Sequence, residues 1–182
     1  MLLNVVDVEA TCWPGRVVPP GQCTEIIEVG LCVVDLAARA RAARHRILVR
    51  PERSTVSGYC TELTGLTQPE VDQGLSFAEA CALLADVHDA GARPWASWGD
   101  FDRRQFTEQC SATGVPYPFG ACHTNAKQSF AEAYGLSHGP DRPEAFRLAG
   151  LSFEGTEHRG VDDAWNAGAL VLHLAARGRR FG

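Results

Sequence analysis

The stretch Met1–Trp13, MLLNVVDVEATCW, joins an apolar, strand-like run to two acids. Side chains of a β-strand alternate between its two faces, so residues two positions apart share a face. Asp7 and Glu9 therefore lie side by side, where each raises the free energy needed to ionise the other. Two interpretations are open at this point. Either both acids reach water at the strand end, where the repulsion is screened, or a divalent cation binds between them.

The composition is that of an ordinary globular protein, with 182 residues, 45% hydrophobic and 21% charged. This length suits one well-filled domain, so residues 1–182 are predicted to form a single domain. The seven cysteines include no CxxC pair, which argues against a disulfide framework or a structural zinc site and favours the reducing cytoplasm. Neither a signal-peptide pattern nor an apolar run of about 20 residues is present, so no membrane association is expected.

The formal net charge is −5. This value counts against a protein that holds nucleic acid through bulk positive charge. It leaves open an enzyme that acts on nucleic acid through bound metal ions.

Hydrophobic periodicity and turn signals predict alternating strands and helices. The predicted strands are 2–8, 25–36, 44–50, 93–99 and a short one near 119–123. The predicted helices are 76–90, 100–114, 125–134, 143–149 and 161–177. Three antiparallel strands followed by strands that alternate with helices predict an α/β fold, with one mixed sheet and helices packed on it.

Two later segments carry further acids. SWGDFDRRQF places Asp100 and Asp102 where the fourth strand passes into a helix, and HRGVDD places His158 just before the last helix. Asp162 and Asp163 fall in the first turn of that helix. Taken singly, acids at a helix start are explained by capping and by the helix dipole.

Taken together, these groups predict a metal centre. Four carboxylates suit two Mg²⁺ or Mn²⁺ ions, because hard cations prefer oxygen ligands. Two such ions about 3.5–4 Å apart can clamp the attacking and leaving oxygens of a phosphodiester displacement. A histidine beside them, with an ordinary pKa of about 6.5, suits the removal of a proton from the attacking water.

In this order the motifs resemble those of the DEDDh 3′–5′ exonucleases of the RNase H-like fold. The branch that they resemble holds the histone-mRNA exonucleases and the bacterial sporulation-inhibitor exonucleases. The resemblance rests on DVEATCW, SWGDFDRRQF and HRGVDD, with EIIEVG and YCTELTGLTQPEVD between them. It runs from Leu3 to Leu174 and is weakest over 114–150. It implies a five-stranded mixed sheet flanked by helices.

The resemblance also implies roles for five residues. Asp7 would bridge both metal ions, Glu9 and Asp163 would complete the first site, and Asp102 would serve the second. His158 would be the general base, since it precedes Asp163 by the family's spacing of five residues.

In the second motif, the family's acid follows a W-G-x-x spacer and precedes an apolar residue four positions on. That pattern selects Asp102, followed by Phe106, rather than Asp100. Asp162 is then expected to cap the last helix.

Substrate contacts follow from the same resemblance. Ala10 and Thr11 occupy positions where backbone groups of the family meet the terminal sugar. Leu63 and Trp98 match positions that wedge or stack the terminal nucleotide, and core packing is the alternative for both. Trp13 would either add a platform at the edge of the site or lie in an exposed turn.

The function that follows is a two-metal 3′–5′ exonuclease acting on the 3′ ends of single-stranded RNA or DNA and releasing nucleoside 5′-monophosphates. Two alternatives stay open. One is a nucleic-acid end-binding or regulatory protein with little turnover, and the other is a phosphodiesterase of dinucleotides and short oligonucleotides. Residue spacing leaves the choice between RNA and DNA, the oligomeric state and any protein partner undetermined.

Overall fold

The strands of the computed structural model, which describes residues 1–181, form one mixed sheet. They are β1 (Leu2–Ala10), β2 (Ile26–Asp35), β3 (Ala40–Leu48), β4 (Trp95–Ser97) and β5 (His123–Asn125). Their order is β3-β2-β1-β4-β5. β1 pairs antiparallel with β2 and parallel with β4, so the strand that carries the first acid pair is central. The predicted five-stranded mixed sheet is confirmed.

The helices cover both faces of this sheet. They are α1 (Gly58–Thr64), α2 (Gln68–Val71), α3 (Phe77–Asp86), α4 (Phe101–Thr113), α5 (Ala126–Tyr134), α6 (Arg142–Ala149) and α7 (Gly160–Ala176). Val6 and Val8 of β1 pack with α3 and α4, whereas Leu3 and Val5 pack with α5, α6 and α7. The two acids at the end of β1 continue this second face, as the alternation of a strand requires. In residues 1–181, every helix is too short or too polar to cross a bilayer.

Strand β3 is longer than predicted. It begins at Ala40 rather than within 44–50, because a tight turn closes the hairpin. In that turn Asp35 Oδ1 accepts hydrogen bonds from the backbone N–H groups of Ala37 and Ala38. β3 is an edge strand whose exposure alternates along its length, so its outward residues lack the apolar signal on which the prediction depended.

Capping residues set the ends of several helices. The capping box of Ser76 and Glu79 opens α3 as predicted. Four helices among residues 1–181 end at a glycine in the left-handed region. Gly114, Gly135 and Gly150 were predicted as helix ends, and Gly65, after α1, was not. The predicted helix 76–90 was too long, because α3 ends at Asp86 and the chain turns through Asp89, whose φ is 51°.

The two strands on the other edge are short. The prediction 93–99 was too long for β4, and the prediction 119–123 placed the fifth strand too early. Phe119 lies in the core instead, where its ring stacks on that of Trp95 at 4.3 Å between centroids. An apolar residue beside a short strand can belong to the core without pairing in the sheet.

Candidate active site

A cleft of about 660 Å³ opens at the end of β1, where this strand meets the N-termini of α4 and α7. All nine residues predicted for the site line it: Asp7, Glu9, Ala10, Thr11, Leu63, Trp98, Asp102, His158 and Asp163. They come from positions 7 to 163 of the chain, so the cleft is assembled by the fold and not by any one segment.

The acid pair on β1 is buried. Asp7 is 4% exposed and Glu9 is 9% exposed, so the interpretation that both acids are splayed into water is wrong. Burial raises the pKa of Asp7 well above its usual range, against the lowering effect of a nearby guanidinium. Burial, followed by the charge of Asp7, raises the pKa of Glu9 to about 10. Two acids this costly to ionise need a cation beside them.

Asp102 joins α4 to the central strand. Its Oδ1 accepts a hydrogen bond from the backbone N–H of Val8 at 2.8 Å, and its burial raises its pKa to about 6. Asp100 is exposed, and its Oδ2 accepts from Asn125 Nδ2 at 2.8 Å. Of the two acids in this motif, Asp102 is the one that faces the cleft. Asp100 occupies the N-cap position of α4 without a capping side-chain hydrogen bond.

The start of α7 supplies the third acid and the histidine. Asp163 is buried, and its Oδ2 accepts from the backbone N–H of His158 at 3.1 Å. The side chain of His158 is exposed, and its backbone is left-handed with φ 60°. Glu9, His158 and Asp163 each offer one ligand atom, and these atoms all lie within 4.8 Å of one another. That grouping can hold a metal ion.

Asp162 was predicted to cap α7, and this prediction was wrong. The N-cap residue is Arg159, which makes no capping side-chain bond. Asp162 turns outward, where its Oδ2 accepts from the backbone N–H of Thr156 at 2.8 Å and its Oδ1 pairs with Arg44. It therefore holds the loop before α7 against β3.

Two residues of β2 position α7, and sequence reasoning had singled out neither. Glu28 is fully buried, and its Oε1 accepts from the backbone N–H of Val161 at 3.1 Å and from Arg46 Nε at 3.3 Å. A Cβ atom at Gly30 would lie 1.9 Å from the carbonyl oxygen of Gly160, so only glycine permits this approach. An acid in the middle of an apolar strand was the available signal for Glu28.

Arg142 is a third residue that the sequence analysis missed. It lies in the first turn of α6, with Nη2 at 2.5 Å from Asp7 Oδ1 and Nη1 at 2.5 Å from Asp163 Oδ1. It falls in the segment where the resemblance was weakest. An arginine at the start of an amphipathic helix gives no sign by itself that it reaches a site.

Apolar side chains form the walls of the cleft. Leu63 is 38% exposed and neighbours the exposed Tyr59 on α1, so core packing does not account for it. Trp98 lines the cleft and also packs in the core, edge-on against Phe130 at 5.8 Å between ring centroids. Trp13 also lines the cleft and is buried, so the alternative of an exposed turn was wrong.

The chain continues past β1 along the floor of the cleft. The backbone N–H of Thr11 donates to Glu25 O at 2.8 Å, and its hydroxyl donates to Cys23 O at 3.2 Å. Ala10 O accepts a weak bond from Cys60 Sγ at 3.6 Å. These contacts hold the segment in place beside the acids.

Comparison with known proteins identifies a common family. The family model described as Exonuclease (RNase_T) matches residues 5–171. The 3′–5′ exonuclease Snipper of Drosophila melanogaster is 28% identical over 196 residues, covering 97% of this chain and 70% of that protein. The human 3′–5′ exoribonuclease 1 is 27% identical over 184 residues, and the chain spans about half (52%) of its length.

One solved structure shows the same fold along the whole chain. It is the nuclease domain of 3′hExo, a DEDDh family member, bound to rAMP, and it superposes with a TM-score of 0.88 at 24% sequence identity. The match covers 100% of this chain and 96% of that domain. At this level of identity the likeness establishes the RNase H-like fold and no more.

Proposed function

The chain belongs to the exonuclease family of the RNase_T model, and on that premise we propose that it hydrolyses single-stranded RNA or DNA from the 3′ end to nucleoside 5′-monophosphates, using two Mg²⁺ or Mn²⁺ ions. The observation that carries the proposal is the convergence of Asp7, Glu9, Asp102, His158 and Asp163 on one cleft. We further propose that residues 1–182 act as one exonuclease domain, because these groups come from both ends of the chain. The cytoplasm stays the predicted compartment.

The donor set fits hard divalent cations. Buried carboxylate oxygens are the ligands that Mg²⁺ and Mn²⁺ prefer, and their mutual repulsion is offset when a cation lies among them. Asp7, Glu9 and Asp163 would hold the first ion, and Asp7 and Asp102 the second. When bound, two such ions supply the positive charge that stabilises the attacking and leaving oxygens of a phosphodiester displacement.

His158 is suited to take the proton of the attacking water. Its ring is exposed at the cleft, so solvent can carry the proton away, and its backbone is tied to Asp163. Attack on the last phosphodiester breaks the bond to the 3′ oxygen of the preceding nucleotide and releases a 5′-monophosphate. A general base of this kind contributes roughly 10²–10⁴-fold to a rate.

The walls of the cleft suit an unpaired strand. Tyr59, Leu63 and Phe101 line the cleft and present exposed apolar surface there. Stacking on such side chains is independent of base sequence and requires bases that are free of a duplex. These contacts support a preference for single-stranded 3′ ends.

The test is a degradation time course with 5′-labelled RNA and DNA strands of equal sequence in Mg²⁺, Mn²⁺ or EDTA. We expect a metal-dependent ladder that shortens from the 3′ end, a loss of activity in Asp7→Asn, and a rate about 10²–10⁴-fold lower in His158→Ala. Asp100→Asn is the matched control and should keep full activity, because Asp100 faces away from the cleft. Hydrolysis that persists in Asp7→Asn would contradict the proposal, and tight binding without cleavage would favour an end-binding protein.

A phosphodiesterase of dinucleotides and short oligonucleotides is the second candidate. Among residues 1–181, the arginine and lysine side chains that line the cleft are Arg16, Arg104 and Arg142, in a chain of net charge −5. A strand that extends beyond the cleft would meet little positive charge. Faster cleavage of a dinucleotide than of a 20-nucleotide strand would select this candidate.

A further inference from the structure

The N-terminus of α6 holds Arg142 in a fixed place. The side chain of Asp141 caps the helix by accepting from the backbone N–H of Glu144 at 2.9 Å. One turn on, Ala145 and Phe146 are buried in the core cluster shared with α7. A positive side chain at a helix N-terminus opposes the helix dipole. The position of Arg142 is therefore not explained by the stability of its own helix.

The contacts of Arg142 explain its position. Each terminal nitrogen of its guanidinium pairs with one carboxylate oxygen, one from Asp7 on β1 and one from Asp163 on α7, both at 2.5 Å. Its side chain is only 24% exposed. Arg104 lines the same cleft but is 64% exposed and pairs loosely with Glu108 at 4.0 Å.

The two carboxylates that Arg142 joins are both assigned to the first metal ion. A guanidinium and a divalent cation that share these oxygens would lie within a few ångströms of each other, where their repulsion is strong. We propose that Arg142 is an internal counter-ion that competes with the first metal ion for Asp7 and Asp163, and that it leaves them when the ion binds. This inference rests on the proposed function, which supplies the metal site.

The competition has two consequences. Metal binding is weaker than the acid cluster alone would allow, so half-maximal activity needs a higher metal concentration. When metal is scarce, the same ion pairs hold β1, α6 and α7 together, because the buried acids keep a cationic partner.

The test measures metal binding rather than activity. The full chain and its variants are titrated with Mn²⁺, and free Mn²⁺ is followed by electron paramagnetic resonance. Arg142→Gln should bind the first Mn²⁺ about tenfold more tightly or better, because one nearby positive charge is removed. Arg104→Gln removes one charge from the same cleft without breaking these ion pairs, and its affinity should change by less than about twofold.

A second variant and a second measurement test the inference even if Arg142→Gln folds poorly. Arg142→Lys keeps the charge but cannot bridge two carboxylates with a planar fork, so its Mn²⁺ affinity should fall between those of the parent chain and Arg142→Gln. Thermal unfolding should show that Mn²⁺ raises the midpoint of Arg142→Gln by more than that of the parent chain, because tighter binding stabilises more.

Two results would overturn the inference. One is an Mn²⁺ affinity in Arg142→Gln that equals or falls below that of the parent chain. The other is an equal gain in Arg104→Gln, which would make the effect one of overall charge. If the parent chain binds Mn²⁺ and shortens strands in either case, the proposed function stands without this inference. If the parent chain binds no Mn²⁺ at all, both fail.

Discussion

Glu28 is a buried acid whose hydrogen bonds connect β2 to the start of α7. Its Oε1 accepts from the backbone N–H of Val161 and from Arg46, which in turn pairs with Glu70 on α2 at 2.7 Å. A buried donor that loses its partner costs more free energy than the original hydrogen bond contributed. The position of α7 therefore depends on one side chain outside the cleft.

We predict that Glu28→Ala lowers the free energy of unfolding by about 1–3 kcal/mol, because Val161 and Arg46 lose a buried acceptor. Glu70→Ala removes the half-exposed partner of the same arginine and should cost less than about 1 kcal/mol. Urea denaturation of the two variants and the parent chain measures both values. Equal losses would show that the bond from Glu28 to Val161 adds nothing to stability beyond the ion pairs of Arg46.

His123 makes stability depend on pH. Burial, followed by the charge of Arg103, lowers the pKa of His123 to about 4. Its ring lies 4.2 Å from that of Trp95, and its Nε2 is 2.8 Å from Ser97 Oγ. Because that hydroxyl donates to Gly99 O, His123 Nε2 carries a hydrogen and donates to Ser97 Oγ. The lowered pKa keeps the ring neutral at pH 7.

This lowered pKa determines the direction in which stability changes with pH. The unfolded chain takes up the proton near pH 6.5, whereas the folded chain does so only near pH 4, so the stability present above pH 6.5 is lost as the pH falls toward 4. We predict that the parent chain loses more stability between pH 7 and pH 5 than His123→Gln does. Urea denaturation at both pH values checks this, since the acids of the cleft contribute alike to both proteins. An equal loss would mean that His123 is not desolvated.

At the scale of elements, the contact between β2 and α7 sets the geometry of the cleft. Helix α7 lies very close to β2 at Gly30. The carbonyl oxygen of Gly160, at the start of the helix, occupies the space that a Cβ atom at Gly30 would need. Close packing of this kind tolerates no added methyl group without a shift of the backbone. The shift would move His158 and Asp163, which lie at that end of α7.

We predict that Gly30→Ala costs about 1–3 kcal/mol or more of stability and most of the hydrolytic activity. Gly58→Ala is the matched control, because a Cβ there meets nothing within 4 Å and alanine favours the helix α1 that begins at this residue. Thermal unfolding and the strand-shortening assay measure the two effects. Parent-like stability in Gly30→Ala would show that α7 can move away without cost.

The predicted elements agreed best with the structure where a local signal ends them. The helices α4, α5 and α6, each of which ends at a glycine, were placed to within a residue or two, because glycine adopts the left-handed conformation readily. The edge strand β3 and the short β5 were misplaced, because their pairing depends on neighbours far along the chain. Hydrophobic periodicity and capping residues indicate the type and the ends of an element. Where a strand begins to pair depends on the neighbouring strands of the sheet.

Across the whole molecule, the charge balance limits how nucleic acid is held. With a net charge of −5 and few basic side chains at the cleft, the contribution of phosphate contacts outside the site is small. The substrate is expected to be held at its 3′ end, by the acids with their ions and by the apolar walls.

We predict a weak salt dependence. If about two phosphates are neutralised, log KM for a single strand should rise with log salt concentration with a slope of about 1.4. The measurement uses 20-nucleotide RNA at constant Mn²⁺ with 50–200 mM KCl, conditions under which a slope above about 4 would reveal a basic surface that the cleft does not show.

The sequence by itself determined whatever depends on residues a few positions apart. Strand alternation placed Asp7 and Glu9 on one face, and the order of the motifs indicated the family. The resemblance to that family then selected Asp102 over Asp100. The tertiary structure alone decided the burial of these acids, the approach of α7 to β2, and the reach of Arg142 to an acid 135 positions away. Contacts of that kind arise when elements distant in the chain pack together, and local spacing carries no information about which side chains will then meet.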